Sequence, residues 1–202
     1  MKKITIITPT YNRAKTLPKV FESLLNQSFK DFIWIILDDG STDNTTEVVE
    51  NFQLFNPFFE IIYKKDKNRH KFLTVLEGVK MVKTPYFMVV DSDDIYPEDA
   101  LETLISEVEK IENQDNYVAV MGLSADENGK IVGNQYPNNG FDGSIFEMRY
   151  KHNVRGDKFG IFITKTYQRE ISGKDFSQYE GKGYIPQSVI FNEYDAKGIK
   201  TR

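Results

Sequence analysis

The order of signals along the chain predicts an α/β fold with a mostly parallel sheet and helices on both faces. Short apolar runs rich in β-branched residues alternate with stretches whose apolar residues fall at helical spacing. Repeated β–α units close with right-handed crossovers, which puts helices on both sides of a parallel sheet. Two of the apolar runs end in carboxylates, at Asp38-Asp39 and at Asp91-Ser92-Asp93-Asp94. In sheets of this kind ligands bind at the carboxyl ends of strands, so both clusters read as parts of a binding site.

Each element has its own justification. Ile4-Thr5-Ile6-Ile7 is a β-branched run ending at Thr8-Pro9-Thr10, the first strand. Leu17, Val20, Phe21, Leu24 and Leu25 then give an amphipathic helix over residues 14–26. Phe32 to Leu37 reads as a second buried strand. Ser41 or Thr42 can cap the helix that follows, whose apolar side is Val48, Val49 and Phe52. Phe58 to Tyr63 is a third strand, and Phe72, Val75, Leu76, Val79 and Val82 line a third helix. Tyr86 to Val90 is the fourth strand, followed by a helix with Leu101, Leu104, Ile105, Val108 and Ile111 on one side.

The pattern changes after residue 116. Tyr117 to Leu123 reads as a strand, and Asn128-Gly129 within Asp126–Lys130 as a hairpin turn. Residues 138–143 are irregular, Phe159 to Thr164 suits a strand, and Pro186 opens a helix reaching Ala196. Neither a repeat nor a linker separates residues 1–116 from residues 117–202, so both portions are expected in one domain. The last residues, Lys200-Thr201-Arg202, carry no obvious terminal element, which leaves open a longer natural chain.

Composition narrows the function classes. The 202 residues are 40% hydrophobic and 28% charged, as in an ordinary soluble globular protein. A net charge of -4 gives no support to a nucleic-acid surface. The absence of cysteine excludes disulfides, thiolate metal sites and a cysteine nucleophile, and fits a reducing compartment. No apolar stretch approaches the roughly 18 residues of a membrane span, and the first apolar run is too short for a signal-peptide core. The expectation is a cytoplasmic protein, compatible with peripheral association at the inner face of a membrane.

Asp91-Ser92-Asp93-Asp94 is the most informative stretch. Carboxylates this close repel one another unless a cation lies between them, and Mg²⁺ or Mn²⁺ takes one or two carboxylates plus substrate phosphates. The same residues also suit a turn and a helix N-cap. An EF-hand loop is excluded, because Ile95 and Tyr96 fall where a ligand and the glycine should be.

Taken in order, Thr8-Pro9-Thr10-Tyr11-Asn12-Arg13, Leu25-Asn26-Gln27-Ser28-Phe29, Asp38-Asp39-Gly40-Ser41-Thr42-Asp43 and Asp91-Ser92-Asp93-Asp94 resemble the family 2 glycosyltransferases, inverting enzymes of the GT-A fold. The match covers residues 3–110. The resemblance implies a nucleotide-sugar (donor) half over 1–116 and an acceptor-side portion over 117–202. It implies that Pro9, Thr10 and Tyr11 border the nucleotide base, that Asp39 accepts a hydrogen bond from a uracil N–H with Asp38 beside it, and that Asp91-Ser92-Asp93 is the family's DxD motif. Asp93 would hold Mn²⁺ or Mg²⁺, and Asp91 would serve ribose or metal. Lys71 stands where a basic residue near the donor is expected, with Arg69 and Arg13 as weaker candidates. Each has a plainer alternative: Tyr11 as a half-buried aromatic, Asp38 and Asp39 as helix caps, Lys71 as a solvated helix-start lysine. His70 reads as a surface residue.

An inverting transfer needs a base to take the acceptor's proton. A subgroup of the family carries a stretch resembling E-G-E-K-F-x-P-E-S. Here the chain reads Glu180-Gly181-Lys182-Gly183-Tyr184-Ile185-Pro186-Gln187-Ser188, with Lys182 and Gln187 in place of two acids. Glu180 and Asp157 are the candidate bases, and either also suits a solvated loop. Leu76-Glu77-Gly78 keeps only the glycine of the family's Asn-x-Gly. The expected function is transfer from a nucleotide sugar, a UDP-sugar first, to a saccharide, lipid-linked or cell-wall acceptor. The alternative is a nucleotide-sugar-binding module with reduced or no transfer. A nucleotidyltransferase or a dinucleotide oxidoreductase would show glycines after the first strand, and Thr8 to Arg13 has none.

Overall fold

The computed structural model describes residues 2–56 and 58–202. The strands are β1 (Ile4–Thr10), β2 (Phe32–Asp38), β3 (Glu60–Lys65), β4 (Tyr86–Val89), β5 (Tyr117–Leu123), β6 (Lys158–Ile163) and β7 (Lys200–Thr201). They form one sheet in the order β3-β2-β1-β4-β6-β5-β7. β1 pairs in parallel with both β2 and β4, and β2 with β3. β6 runs antiparallel to β4 and β5, and β7 is parallel to β5. The expected α/β architecture with a mostly parallel sheet is what the chain adopts.

Strand alternation builds two cores. Ile4 and Ile6 of β1, Phe32, Trp34 and Ile36 of β2, and Tyr86 and Met88 of β4 face one side. There they meet α1 (Leu17–Leu25), α2 (Thr45–Phe55) and α4 (Ala100–Glu109) through Val20, Phe52 and Leu104 among others. Ile7, Ile35, Leu37 and Phe87 face the other side. They meet α3 (His70–Met81), α5 (Thr164–Ile171) and α6 (Ser188–Ala196) through Leu76, Tyr167 and Tyr194. The change of face at α3 follows from handedness. The chain moves outward from β1 to β3 and then returns across β1 to β4, and a right-handed return runs over the opposite face.

Several boundaries differ from expectation for local reasons. β1 continues to Thr10 because Pro9 and Thr10 stay in register with Leu37 and Asp38. α1 starts at Leu17 rather than near residue 14, since Pro18 fits only the first helical turn. β3 begins at Glu60, because the Asn56 side chain bonds the Phe58 N–H and the Phe59 carbonyl and holds that stretch in a turn. Phe59 instead fills the core beside Phe32. The 126–130 turn forms, closed by a single Ala125–Ile131 bridge with Gly129 at φ +78°. Among the elements the sequence does not predict are α5, which follows β6 without a break, and β7, formed by the last residues.

Candidate functional site

β1 lies between β2 and β4, and the chain turns back across it from β3 to reach β4, so the strand order reverses there and the carboxyl ends of β1 and β4 are where such a sheet offers a ligand crevice. Four loops meet on this rim. Backbone bonds begin to organise them: the Asp39 N–H donates to the Thr10 carbonyl at 2.8 Å, and the Val90 N–H to Ile7 at 2.9 Å.

The β2 end carries two buried carboxylates with different work. Asp38 is saturated by the fold: Oδ1 accepts from the Ser41 N–H at 2.7 Å and Oδ2 from the Tyr63 hydroxyl at 2.5 Å. Burial and this bond push the Tyr63 hydroxyl up to about 12. Asp39, 6% exposed, uses Oδ1 for the Arg69 N–H at 2.7 Å and the Thr74 hydroxyl at 2.8 Å. It lines a small pocket with Leu73, Thr74 and Arg69. Gly40 turns the chain at φ +87°, and a Cβ there would lie 3.1 Å from the Asn68 nitrogen.

Asn12 ties the loop after β1 to the loop after β2. It sits at φ +54°, a conformation Asn tolerates well, and its Oδ1 accepts from the Thr42 N–H at 2.7 Å. Its own N–H donates to Ser41 Oγ at 2.8 Å, and the Ala14 N–H to Asp43 Oδ2 at 3.1 Å. The loop so fixed presents Tyr11, 47% exposed, at the mouth of the crevice. Pro9 and Thr10 are buried behind it, and Thr10 Oγ1 has no hydrogen-bond partner among the described residues.

The β4 end opens into the acidic turn, closed by the Asp94 N–H on the Asp91 carbonyl at 3.2 Å. Ser92 is buried, while Asp93 and Asp94 are exposed. Lys71 Nζ reaches Asp91 Oδ2 at 2.6 Å, and the Arg13 guanidinium stands 3.7 Å from Asp93 Oδ2. Partial burial, with the charges of Asp91, Asp93 and Asp157, pushes the Asp94 carboxyl above its ordinary value, against the pull of Lys71. Gln27, 1% exposed, fastens this loop from below. Its Nε2 donates to the Pro97 carbonyl at 2.7 Å and its Oε1 accepts from the Leu101 N–H at 3.1 Å. Asn12, Asp43 and Gln27 were given no role from sequence, although all three lie inside the recognised motifs.

Among the described residues no three acidic or histidine side chains converge into a self-sufficient metal cage. The donors present are oxygens only, gathered in one turn and about half open to solvent. That set fits Mg²⁺ or Mn²⁺ completed by phosphate oxygens and water.

The later chain reaches the same rim from two directions. β6 is reversed, so its amino end lies at the crevice, and Asp157 just before it contributes to the charge felt by Asp94. Glu180 accepts from the Arg69 guanidinium at 2.9 Å, beside Tyr179 and Phe176 packed edge-on against Phe72 of α3. Lys182 and Gln187 are exposed. His70 is exposed as expected, at φ +67°.

Residues 5–173 match the model of Glycosyl transferase family 2. The poly(ribitol-phosphate) beta-N-acetylglucosaminyltransferase TarP of Staphylococcus aureus is 36% identical over 108 residues, which cover 52% of this chain and 32% of that protein. S. aureus TarS 1-349 in complex with UDP superposes with a TM-score of 0.65 at 18% identity, covering 99% of this chain and 57% of that one. The mannosyltransferase PcManGT from Pyrobaculum calidifontis, in complex with GDP-Man and Mn²⁺, gives 0.65 at 15% identity over 98% of this chain and 53% of that one. The chain spans about a third of the length of such curated relatives. Among the described residues no helix is long and apolar enough to cross a membrane.

Proposed function

The chain belongs to glycosyl transferase family 2, and on that footing we propose that it moves a sugar, with inversion, from a nucleotide-sugar donor to a saccharide, lipid-linked or cell-wall acceptor. A UDP-sugar is the first choice of donor. Residues 1–116 would hold the donor, and residues 117–202 would form part of the acceptor side of the same domain.

One observation carries the reading: a buried carboxylate at the end of β2 and an exposed carboxylate pair at the end of β4 flank the crevice where the strand order reverses. Asp39 engages Arg69 and Thr74 through Oδ1, and its Oδ2, which bonds no donor among the described residues, would accept the uracil N–H. Tyr11 would lie against the base, with Pro9 and Thr10 behind it and the unpartnered Thr10 hydroxyl toward the nucleotide. Asp91 and Ser92 would border the ribose. Asp93, with Asp91, would hold a divalent ion; when bound, that ion stabilises the negative charge developing on the diphosphate. Lys71 and Arg13 are cations within reach of the same place. Glu180 or Asp157 would take the acceptor proton. The UDP complex of TarS, the Mn²⁺ complex of PcManGT and the polymer acceptor in TarP's name support these choices.

A binding module without transfer is the second reading. It is favoured by the Arg69 bond that engages Glu180 and by Lys182 and Gln187 standing where acids are expected.

Calorimetric titration of UDP, GDP, CDP and ADP, with and without Mn²⁺, tests the proposal. Mn²⁺-dependent binding of UDP by the wild type, lost in Asp93→Ala while Tm is kept, is the expected result. Binding of no nucleotide, or unchanged binding by the variant, overturns the donor site or the role of Asp93 respectively. Transfer and donor-hydrolysis assays then separate enzyme from binding module.

A further inference from the structure

We propose that Lys71 and Arg13 exchange partners: they neutralise Asp91 and Asp93 while the crevice is empty of metal, and pass to the diphosphate when a divalent ion takes those carboxylates. The inference rests on the donor and metal reading above. It adds a coupling between metal and nucleotide that runs through two side chains of this protein.

The two cations come from different loops and approach the acidic turn from different elements. Arg13 follows Asn12, whose side-chain bonds fix its loop to residues 41–43. Its own backbone N–H is held by Thr45 Oγ1 at 3.1 Å. Lys71 lies in the first turn of α3, just after Arg69 is pinned by Asp39. Neither backbone need move for its side chain to change partner. Each cation engages a different carboxylate of the same turn, at 2.6 Å for Lys71–Asp91 and 3.7 Å for Arg13–Asp93.

The pairs are also weak enough to exchange. Lys71 and Asp91 are 54% and 40% exposed, and Arg13 and Asp93 are 47% and 50% exposed. Ion pairs this wet are screened by solvent and salt. A divalent ion competes with an ammonium or guanidinium for the same oxygens and wins on charge. The displaced cation is left with long side-chain reach and no carboxylate, at the place where phosphate oxygens complete the metal's shell. Metal binding therefore creates phosphate-binding capacity, and by reciprocity a nucleoside diphosphate makes room for metal.

Opposite signs in one variant make the idea testable. In Lys71→Gln, Mn²⁺ alone has one fewer competitor and is expected to bind more tightly, by roughly two- to fivefold, the worth of an exposed ion pair. UDP at saturating Mn²⁺ loses a charged hydrogen bond and is expected to bind about tenfold more weakly. Free Mn²⁺ counted by electron paramagnetic resonance gives the first quantity and calorimetry with UDP the second, with Tm as the check on folding. Mn²⁺ occupancy in Lys71→Gln equal to or below that of wild type overturns the exchange, whatever happens to UDP. A wild type that binds no Mn²⁺ even with UDP present overturns the metal reading itself, and the exchange with it.

Discussion

Asp38 and Asp39 are neighbours with the same side chain, yet the fold employs them differently. Both oxygens of Asp38 are consumed in holding β2 to its turn and to Tyr63 of β3. Asp39 has one oxygen engaged by α3 and its residue lines a pocket. Asp39→Ala is therefore expected to weaken UDP by about 1.5–3 kcal/mol, the range for a charged hydrogen bond, and CDP or ADP by clearly less. Equal losses for every base in calorimetry would count against a uracil contact. Asp39→Asn, which keeps an acceptor for Arg69 and Thr74, separates the base contact from loop support. Sequence alone picked out both aspartates, because two carboxylates after an apolar run are conspicuous. Only the family resemblance divided their roles, by giving Asp39 the base contact; the physical division depends on Tyr63 and Thr74, which are distant in the chain. Gln27 and Asn12 escaped for a related reason: amides that brace loops look like ordinary turn residues until their partners are placed.

At the scale of elements, the glycine in Leu76-Glu77-Gly78 shows what α3 needs. It packs so closely on the sheet that a Cβ at Gly78 would lie 2.7 Å from Leu37 Cδ1 and 2.8 Å from Ile7 Cγ2. Gly78→Ala is expected to cost about 1–3 kcal/mol by overpacking, reduced by up to about 1 kcal/mol of gained helix propensity. Denaturant unfolding measures the balance, and a stability equal to or above wild type would show that Leu37 and Ile7 yield freely. The first-half helices were legible because each pairs a wide apolar stripe with a strand on either side. α5 was not: within Thr164–Ile171 only Tyr167 and Ile171 are large apolar residues, one turn apart. β7 is two residues long, and its place is set by pairing with β5 and by the Arg202–Asp142 fork at 2.7 Å, not by local pattern.

For the whole molecule, one ionic cluster joins the late elements. Glu170 of α5, 5% exposed, accepts from Arg169 Nε at 2.8 Å and from Lys197 beyond α6 at 2.5 Å. Burial pulls its carboxyl upward, but the hydrogen bonds from Lys197 and Arg169 outweigh it and hold the group below its ordinary value of 4.5. A depressed carboxylate contributes stability above its unfolded value and loses it as pH falls through the folded one. Glu170→Gln is expected to destabilise by about 1.5 kcal/mol near neutrality, with the Tm gap from wild type closing as the pH drops below 4.5. A gap independent of pH would assign the loss to packing.

The reversed β6 has a consequence of its own. The side of the crevice proposed to hold the donor is made by chain leaving strands, whose positions are locked by parallel pairing and by crossover helices. The opposite side is met by chain arriving at a strand, after a segment running from residue 124 to residue 157 that contributes no strand of its own and joins the sheet between its ends through the Gly143–Thr201 bridge and the Asp142–Arg202 fork. Length and composition can change in that segment without shifting the register of any parallel pair. One wall of the cleft is thus bound to the architecture and the other is free to diversify, so under the proposed function the acceptor would change more readily than the donor.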